Sequence, residues 1–455
     1  MRFLLLALLA LPLAAQQNFV VVFADDLGYA DLGVYGHPTI STPNLDRMAA
    51  EGQRWTNFYV GASVCTPSRA ALLTGRLPVR SGMMGQRRVL FPDSSLGIPA
   101  SEVTIAEMLR EKGYKTGHVG KWHLGHLKPY LPTRHGFDSY FGIPYSNDMD
   151  ATFQPKNRTE YFDRFWAPRI ESWNVPLLRD EEVIERPANQ DTITKRYGEE
   201  AAAFIRRSKD SPFFLYLAHS MVHVPLFASK EFSGKSRRGL FGDTVEEIDW
   251  SVGLIMDTLE ELNLTEKTLI VFTSDNGPWL TFDTHGGSAG LLRLGKGSTW
   301  DGGMRVPGIF RQPGTVKPGV IQEIGATMDL LPTFAAMSGA KMSKNKLDGY
   351  DISSVLLGKT DKSPRQEIFY YRRSEIWAVR LGPWKAHYKT KSGYRSDPIL
   401  EHDPPLLFNL EEDPGENYNI AAKHPEKIAE IAAFTAKHRK TMPDPLPDYT
   451  TQRIQ

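Results

Sequence analysis

From residue 18 to about residue 335, apolar runs alternate with segments of helical period, the pattern of an α/β domain built around a largely parallel sheet. Asn18–Ala24, Phe213–Ala218 and residues 268–273 are continuous apolar runs rather than alternations, so they read as strands buried on both faces. Between them lie helices. Val245, Ile248, Val252, Ile255, Met256 and Leu259 recur at helical spacing and form a core-facing stripe. Thr104 and Glu107 make a capping box for a helix that Gly113 ends, and residues 114–120 follow as a short strand. Residues 149–191 are aromatic, charged and Pro-punctuated without a clear period, which predicts an insertion over a site. Beyond a polar stretch at 341–346, strand-like pieces at 375–380 and 384–389, a turn-rich 411–415 and an amphipathic helix over 425–440 predict a smaller C-terminal α+β subdomain. The expected fold is therefore α/β: a large, mostly parallel mixed sheet flanked by helices over 18–340, then an antiparallel-sheet and helix subdomain over 341–455.

At 455 residues and 41% hydrophobic content, the chain can bury a large core and a smaller one. A formal charge of +1 supplies no global field for nucleic acid or an acidic membrane surface. Residues 1–15 read as a signal peptide, with Arg2 as the positive end, an apolar stretch over 3–11 and Ala14-Ala15 as the small-residue cleavage region. That stretch is too short to span a bilayer, and no later apolar run is long enough, so no stable membrane anchor is expected. An exported chain with one cysteine holds no intramolecular disulfide, which fits a bacterial periplasmic or secreted protein.

In open α/β sheets ligands gather beyond the carboxyl ends of the strands. Four predicted strand ends carry polar residues suited to chemistry: Asp25-Asp26, Lys121-Trp122-His123, the segment from His219 to His223, and Asp275-Asn276. Three aspartates brought together repel unless a cation lies among them, and with Asn276 the set is all oxygen, which suits Ca²⁺ or Mg²⁺ rather than zinc. His223 is placed to act as a general acid near neutral pH. Lys296, with glycine on either side, lacks the spacing of a nucleotide-binding loop. The chain's single cysteine opens the string Cys65-Thr66-Pro67-Ser68-Arg69, continued to Leu73-Thr74-Gly75-Arg76. Proline at position 67 predicts a helix entered there, with Cys65 just before its positive end, where an anion is favoured, and Arg69 one turn on as a fixed charge.

The Cys65 string resembles the modification motif of the type I sulfatases, in which the cysteine is oxidised to formylglycine. Together with Asp25-Asp26-Leu27-Gly28, the segment from Gly120 to Gly125, the segment from Gly142 to Ser146, Asp275-Asn276-Gly277 and the Lys296 loop, in that order, the chain is similar to the arylsulfatase A-like group of the alkaline phosphatase superfamily. The resemblance implies an alkaline phosphatase-like fold and hydrolysis of a sulfate monoester of a sugar or aryl alcohol. It implies Ca²⁺, in preference to Mg²⁺, held by Asp25, Asp26, Asp275, Asn276 and the modified Cys65. It further implies that Arg69 and Lys121 hold the aldehyde hydrate, that His123 helps it collapse and expel sulfate, and that His223 and Lys296 serve the leaving oxygen. Lys121, Ser146, His223 and Lys296 would face the substrate, and a formylglycine-generating enzyme would be the maturation partner. Two alternatives share these residues: a formylglycine-dependent phosphodiesterase or phosphonate monoester hydrolase, and a non-catalytic binder of sulfated glycans with an unmodified Cys65.

Overall fold

The computed structural model describes residues 17–394 and 396–454, apart from the side chain of Arg158. The predicted signal peptide at 1–15 lies outside the described residues. Ten strands form the main sheet: β1 (Asn18–Ala24), β2 (Gln53–Tyr59), β3 (Lys115–Gly120), β4 (Ser139–Gly142), β5 (Leu177–Arg179), β6 (Glu182–Glu185), β7 (Phe213–Ala218), β8 (Thr268–Ser274), β9 (Arg305–Arg311) and β10 (Gly319–Ala326). Their spatial order is β10-β2-β9-β8-β1-β7-β3-β4-β5-β6. The central run from β8 to β4 is parallel, whereas β9 and β5 join it antiparallel.

The apolar runs are continuous because both faces of the sheet are covered. From β1, Phe19, Val21 and Phe23 point into one core with the helices α2 (Cys65–Thr74), α3 (Ile105–Glu111) and Leu330–Ser338. Val20, Val22 and Ala24 point into the other, with α1 (Pro43–Ala50), α5 (Ile193–Ser208) and α6 (Leu240–Glu261). The predicted stripe on α6 lies in that second core. At α3 the capping box forms in both directions, with Glu107 N–H on Thr104 Oγ1 and Thr104 N–H on Glu107 Oε2.

Register is what builds the site. Ala24 lies opposite Ser274, Phe23 opposite Ala218, and Ala218 opposite Gly120, so four central strands stop at nearly one level. Asp25, Asp275, His219 and Lys121 are the next residues of those strands and emerge along one edge.

Two expectations need correction. The helix α2 begins at Cys65, two residues before the proline, so the cysteine is its first residue rather than a preceding one. The stretch 149–191 is more than a cover over the site: it holds a helix, α4 (Arg158–Trp166), and the β5–β6 hairpin that forms the outer edge of the main sheet. No regular period marks that hairpin, because Val183 and Ile184 are largely exposed at the sheet's end. The C-terminal part is a four-stranded antiparallel sheet, β11 (Glu367–Arg372), β12 (Glu375–Leu381), β13 (Trp384–Thr390) and β14 (Leu400–Asn409), with the helix Pro425–Arg439 against it. Phe369 stacks on Phe434 with ring centroids 5.6 Å apart.

Candidate active site

Val64 precedes α2 in extended conformation and no side chain caps the helix, so its first N–H groups face the strand ends. Cys65 Sγ lies 3.6 Å from Asp25 Oδ1. One turn on, Arg69 places Nη2 at 2.9 Å from Asp275 Oδ2 and 3.3 Å from Asp25 Oδ2, while its Nη1 donates to the Lys121 carbonyl at 2.9 Å. The Lys121 ammonium bonds Asp25 Oδ2 and, at 3.1 Å, Ser146 Oγ. Lys296 Nζ lies 2.7 Å from Asp26. Three buried carboxylates thus face three buried cations.

Charge sets the protonation states. Burial alone pushes the Asp25 carboxyl up, yet Lys121, Arg69, His223 and Lys296 together hold it well below the usual carboxylate range. Asp26 is raised to about 7, by burial first and by Asp25 and Asp275, against the pull of Lys296. Asp275 is raised by burial and by Asp25. Burial pushes the Cys65 thiol well up despite Lys121 and Lys296, the opposite of a cysteine activated as a thiolate.

Both histidines have a defined tautomer. His223 Nδ1 lies 2.6 Å from the Val224 carbonyl, so it carries the hydrogen and Nε2 faces Asp26 at 3.6 Å. His123 Nε2 donates to the Leu90 carbonyl at 2.8 Å, which leaves a buried Nδ1 lone pair with no partner among the described residues. Burial, with nearby lysines, holds both rings well below the ordinary histidine range and hence neutral. The Thr66 hydroxyl donates to the His123 carbonyl at 2.9 Å and ties that segment to α2.

The donor chemistry fits a hard divalent cation. Ligand atoms of Asp25, Asp26, Cys65 and His223 all lie within 4.8 Å of one another. Asp275 borders this cluster, with Oδ1 accepting the Asp26 N–H at 3.1 Å. Asn276 Nδ2 donates to Asp26 at 2.7 Å, and its Oδ1 is buried without a partner among the described residues. A buried amide oxygen without a partner, beside two carboxylates raised by burial and then by neighbouring carboxylates, is a donor set that fits an oxygen-seeking cation.

The candidate site residues singled out in the sequence therefore meet at one sheet edge, with His123 tied to α2 through its carbonyl and its ring held by the Leu90 carbonyl. Sequence reasoning missed the aromatic wall. The Trp279 ring lies 4.3 Å from Lys296 Nζ and 5.3 Å from the His223 ring, and Tyr394 packs on Trp279 at 5.0 Å. Phe282, 4.8 Å from Trp279, joins this wall to Phe165 and Trp166 of α4. Asn147 was also missed: its amide reaches the Pro225 carbonyl at 2.9 Å and the Gln190 side chain at 3.1 Å, bracing the turn that carries His223.

Comparison with known proteins agrees with this arrangement. Residues 17–340 match the sulfatase family, and residues 363–453 match the C-terminal region of aryl-sulfatase. The chain is 46% identical to arylsulfatase A of Homo sapiens over 448 residues, covering 92% of this chain and 86% of that protein. Among solved structures, the PsFucS1 sulfatase from Pseudoalteromonas sp. superposes with a TM-score of 0.83 at 30% identity, covering 96% of this chain and 92% of that one. Ps i-CgsB in complex with k-i-k-neocarrahexaose gives 0.79 at 30% identity, covering 96% and 95%.

Proposed function

The chain belongs to the sulfatase family and is a sulfuric ester hydrolase; from that premise we propose that it cleaves a sulfate monoester of a sugar or aryl alcohol, using formylglycine made from Cys65 and a bound Ca²⁺. The observation that carries this reading is the meeting of Cys65, three carboxylates and three cations at the uncapped start of α2. The raised thiol supports it further, since an unmodified Cys65 is a poor nucleophile in this setting. Asp25, Asp26, Asp275 and Asn276 would hold the ion, together with residue 65. When present, the aldehyde hydrate supplies the attacking oxygen and the cation draws charge from the sulfate oxygens.

The remaining work falls to fixed side chains. Arg69 and Lys121 are locked by Asp25 and Asp275, so their positive charge meets the sulfate without reorganisation. Lys296 stays protonated: burial opposes the charge, but Asp26, Cys65, Tyr394 and Asp25 together hold it well above the ordinary lysine range, and it would offset charge on the leaving oxygen. His223, whose Nδ1 hydrogen is tied to Val224, turns an unprotonated Nε2 to the site; it would pass a proton to the leaving oxygen from Nε2 after taking one up there, a protonation that a bound sulfate anion favours. His123 offers its free Nδ1 lone pair to accept one when sulfate departs. Ser146, 3.4 Å from His223 Nε2 and bonded to Lys121, lies on the substrate side. Export to the periplasm or medium, with maturation by a formylglycine-generating enzyme, completes the reading.

Peptide mass analysis of the active protein, paired with aryl sulfate turnover before and after chelation, tests it. The expected result is a residue 65 whose sulfur has been exchanged for oxygen with loss of two hydrogens, and activity that chelator removes and Ca²⁺ restores. Full activity with an intact thiol overturns the assigned nucleophile.

A further inference from the structure

Beside the start of α2 a cavity of about 410 Å³ opens towards the C-terminal sheet. Val64 and Gly297, the chain neighbours of Cys65 and Lys296, line it together with Arg88, Arg372, Arg373 and Tyr394. The volume falls in the ~300–1,000 Å³ range of small-molecule sites. Charge in this cavity is one-sided. The lining carboxylate Glu375 is taken up by Lys389 at 3.1 Å, and Arg87 is paired with Asp93 at 2.8 Å. Among the described residues, Arg88, Arg372 and Arg373 make no ion pair. Arg88 instead lies over the Tyr394 ring at 4.5 Å, and Arg372 over Trp377 at 4.8 Å. Arg372 donates through Nη2 to the Gly393 carbonyl at 3.0 Å, while its Nη1 is buried with no partner among the described residues. Burial holds that guanidinium below the usual arginine range, and Arg373 and Arg88 push in the same direction. Asp397 pulls the other way without pairing with any of the three arginines, and like charges gathered with so little counter-charge are stabilised when an anion joins them.

The cavity is joined to the catalytic centre through Tyr394. Its ring packs against Trp279, which in turn underlies Lys296 and flanks His223. The cavity thus borders the catalytic centre, with the Tyr394 ring between Arg88 and Trp279.

We propose that this cavity is a subsite for a second anionic group, a sulfate or carboxylate on the alcohol portion of the substrate, so that the enzyme prefers a polyanionic sulfated glycan fragment over a singly charged ester. The proposal rests on the reading of residue 65 as the sulfate-ester centre. Guanidinium groups match the planar or tetrahedral oxygens of such anions by paired hydrogen bonds. The rings of Tyr394 and Trp377 back the arginines and hold them in place. Each arginine engaged is expected to contribute about tenfold in affinity.

Calorimetric binding to the Cys65→Ala protein, which does not turn over, separates this subsite from the chemistry. The probes are a disulfated disaccharide, its monosulfated counterpart, and a monosulfated disaccharide carrying a uronic carboxylate. Both doubly charged probes are expected to bind at least about tenfold more tightly than the singly charged one. A preference shown by only one of them identifies which anion the subsite takes. The exposed pair Arg88→Gln and Arg373→Gln, which leaves the core untouched, should bring that ratio towards one, as should Arg372→Gln. Equal affinities in the parent, or a ratio that these variants leave intact, overturns the proposal. Aryl sulfate turnover by the unsubstituted chain is the separate check on the ester centre: turnover without a preference for double charge removes the subsite alone.

Discussion

Replacing Lys385 with methionine tests how the C-terminal sheet is bound to the catalytic one. Lys385 Nζ lies 2.9 Å from Asp301 Oδ1 and 2.9 Å from Glu416 Oε1, with all three side chains fully buried. Methionine keeps much of the stem and removes the charge, stranding two carboxylates. Asp301 retains the Tyr59 and Tyr370 hydroxyls at 2.7 Å and Arg305 at 3.6 Å. Glu416 retains His387 at 2.7 Å and the Asp301 N–H at 2.7 Å. In the unsubstituted protein burial and then Lys385 push His387 down to about 4; the substitution removes the second cause, and burial, the larger one, still opposes a charge on His387. Removing one partner from a buried ionic group costs about 3–5 kcal/mol, and two charge-assisted hydrogen bonds at ~1.5–3 kcal/mol each reach the same range. Adding Glu416→Gln removes one stranded charge and should recover about 2 kcal/mol. Urea unfolding followed by tryptophan fluorescence measures this, with Trp300 as a local reporter, its ring 4.3 Å from that of His387. A loss below about 1 kcal/mol, the scale of a surface pair, or a double variant no more stable than Lys385→Met, would refute the reasoning.

Two further predictions concern proton transfer and pH. His223→Gln should lower aryl sulfate turnover by about 10²–10⁴-fold for poor leaving groups and much less for good ones, read as a steeper dependence of rate on leaving-group pKa; an equal loss across the series would remove His223 from the proton-transfer role. Glu247 on α6, with only the Ser229 N–H at 3.0 Å on one oxygen and no partner on the other among the described residues, is raised by burial from 4.5 to about 7. Its folded pKa exceeds the unfolded one, so the stability it contributes is complete below about pH 4.5 and is lost as pH rises through 7. Glu247→Gln should therefore flatten the fall in unfolding free energy over that window, gaining at most about 3 kcal/mol at pH 8, and parallel profiles for the two proteins would contradict this.

What the sequence disclosed depended on whether a residue's position was fixed by its neighbours in the chain. Asp25-Asp26 and Asp275-Asn276 follow runs so apolar that only a buried central strand accommodates them, and pairing of Ala24 with Ser274 then brings them to one edge. Their chemistry could be argued before any coordinates. The β14 strand was invisible because Pro404 and Pro405 contradict a strand by local preference; they are tolerated because it is the last strand of its sheet, bonded on one side to β13 alone.

Tyr394 and Arg372 show the deeper limit. Tyr394 lies in a polar turn between β13 and β14, Arg372 ends β11, and neither has local surroundings that distinguish it from an ordinary solvated residue. Their position arises only when the small sheet docks on the large one: a Cβ at Gly393 would lie 2.7 Å from the Lys296 carbonyl, and one at Gly297 would lie 3.0 Å from the Tyr394 ring. Those two glycines, more than ninety residues apart in the sequence, permit the backbones to approach closely enough for the C-terminal sheet to wall the catalytic centre. The residues proposed to cleave the ester are thus written beside the strands that hold them, whereas those proposed to face the rest of the substrate are assembled from the contact between two sheets, which no single segment specifies.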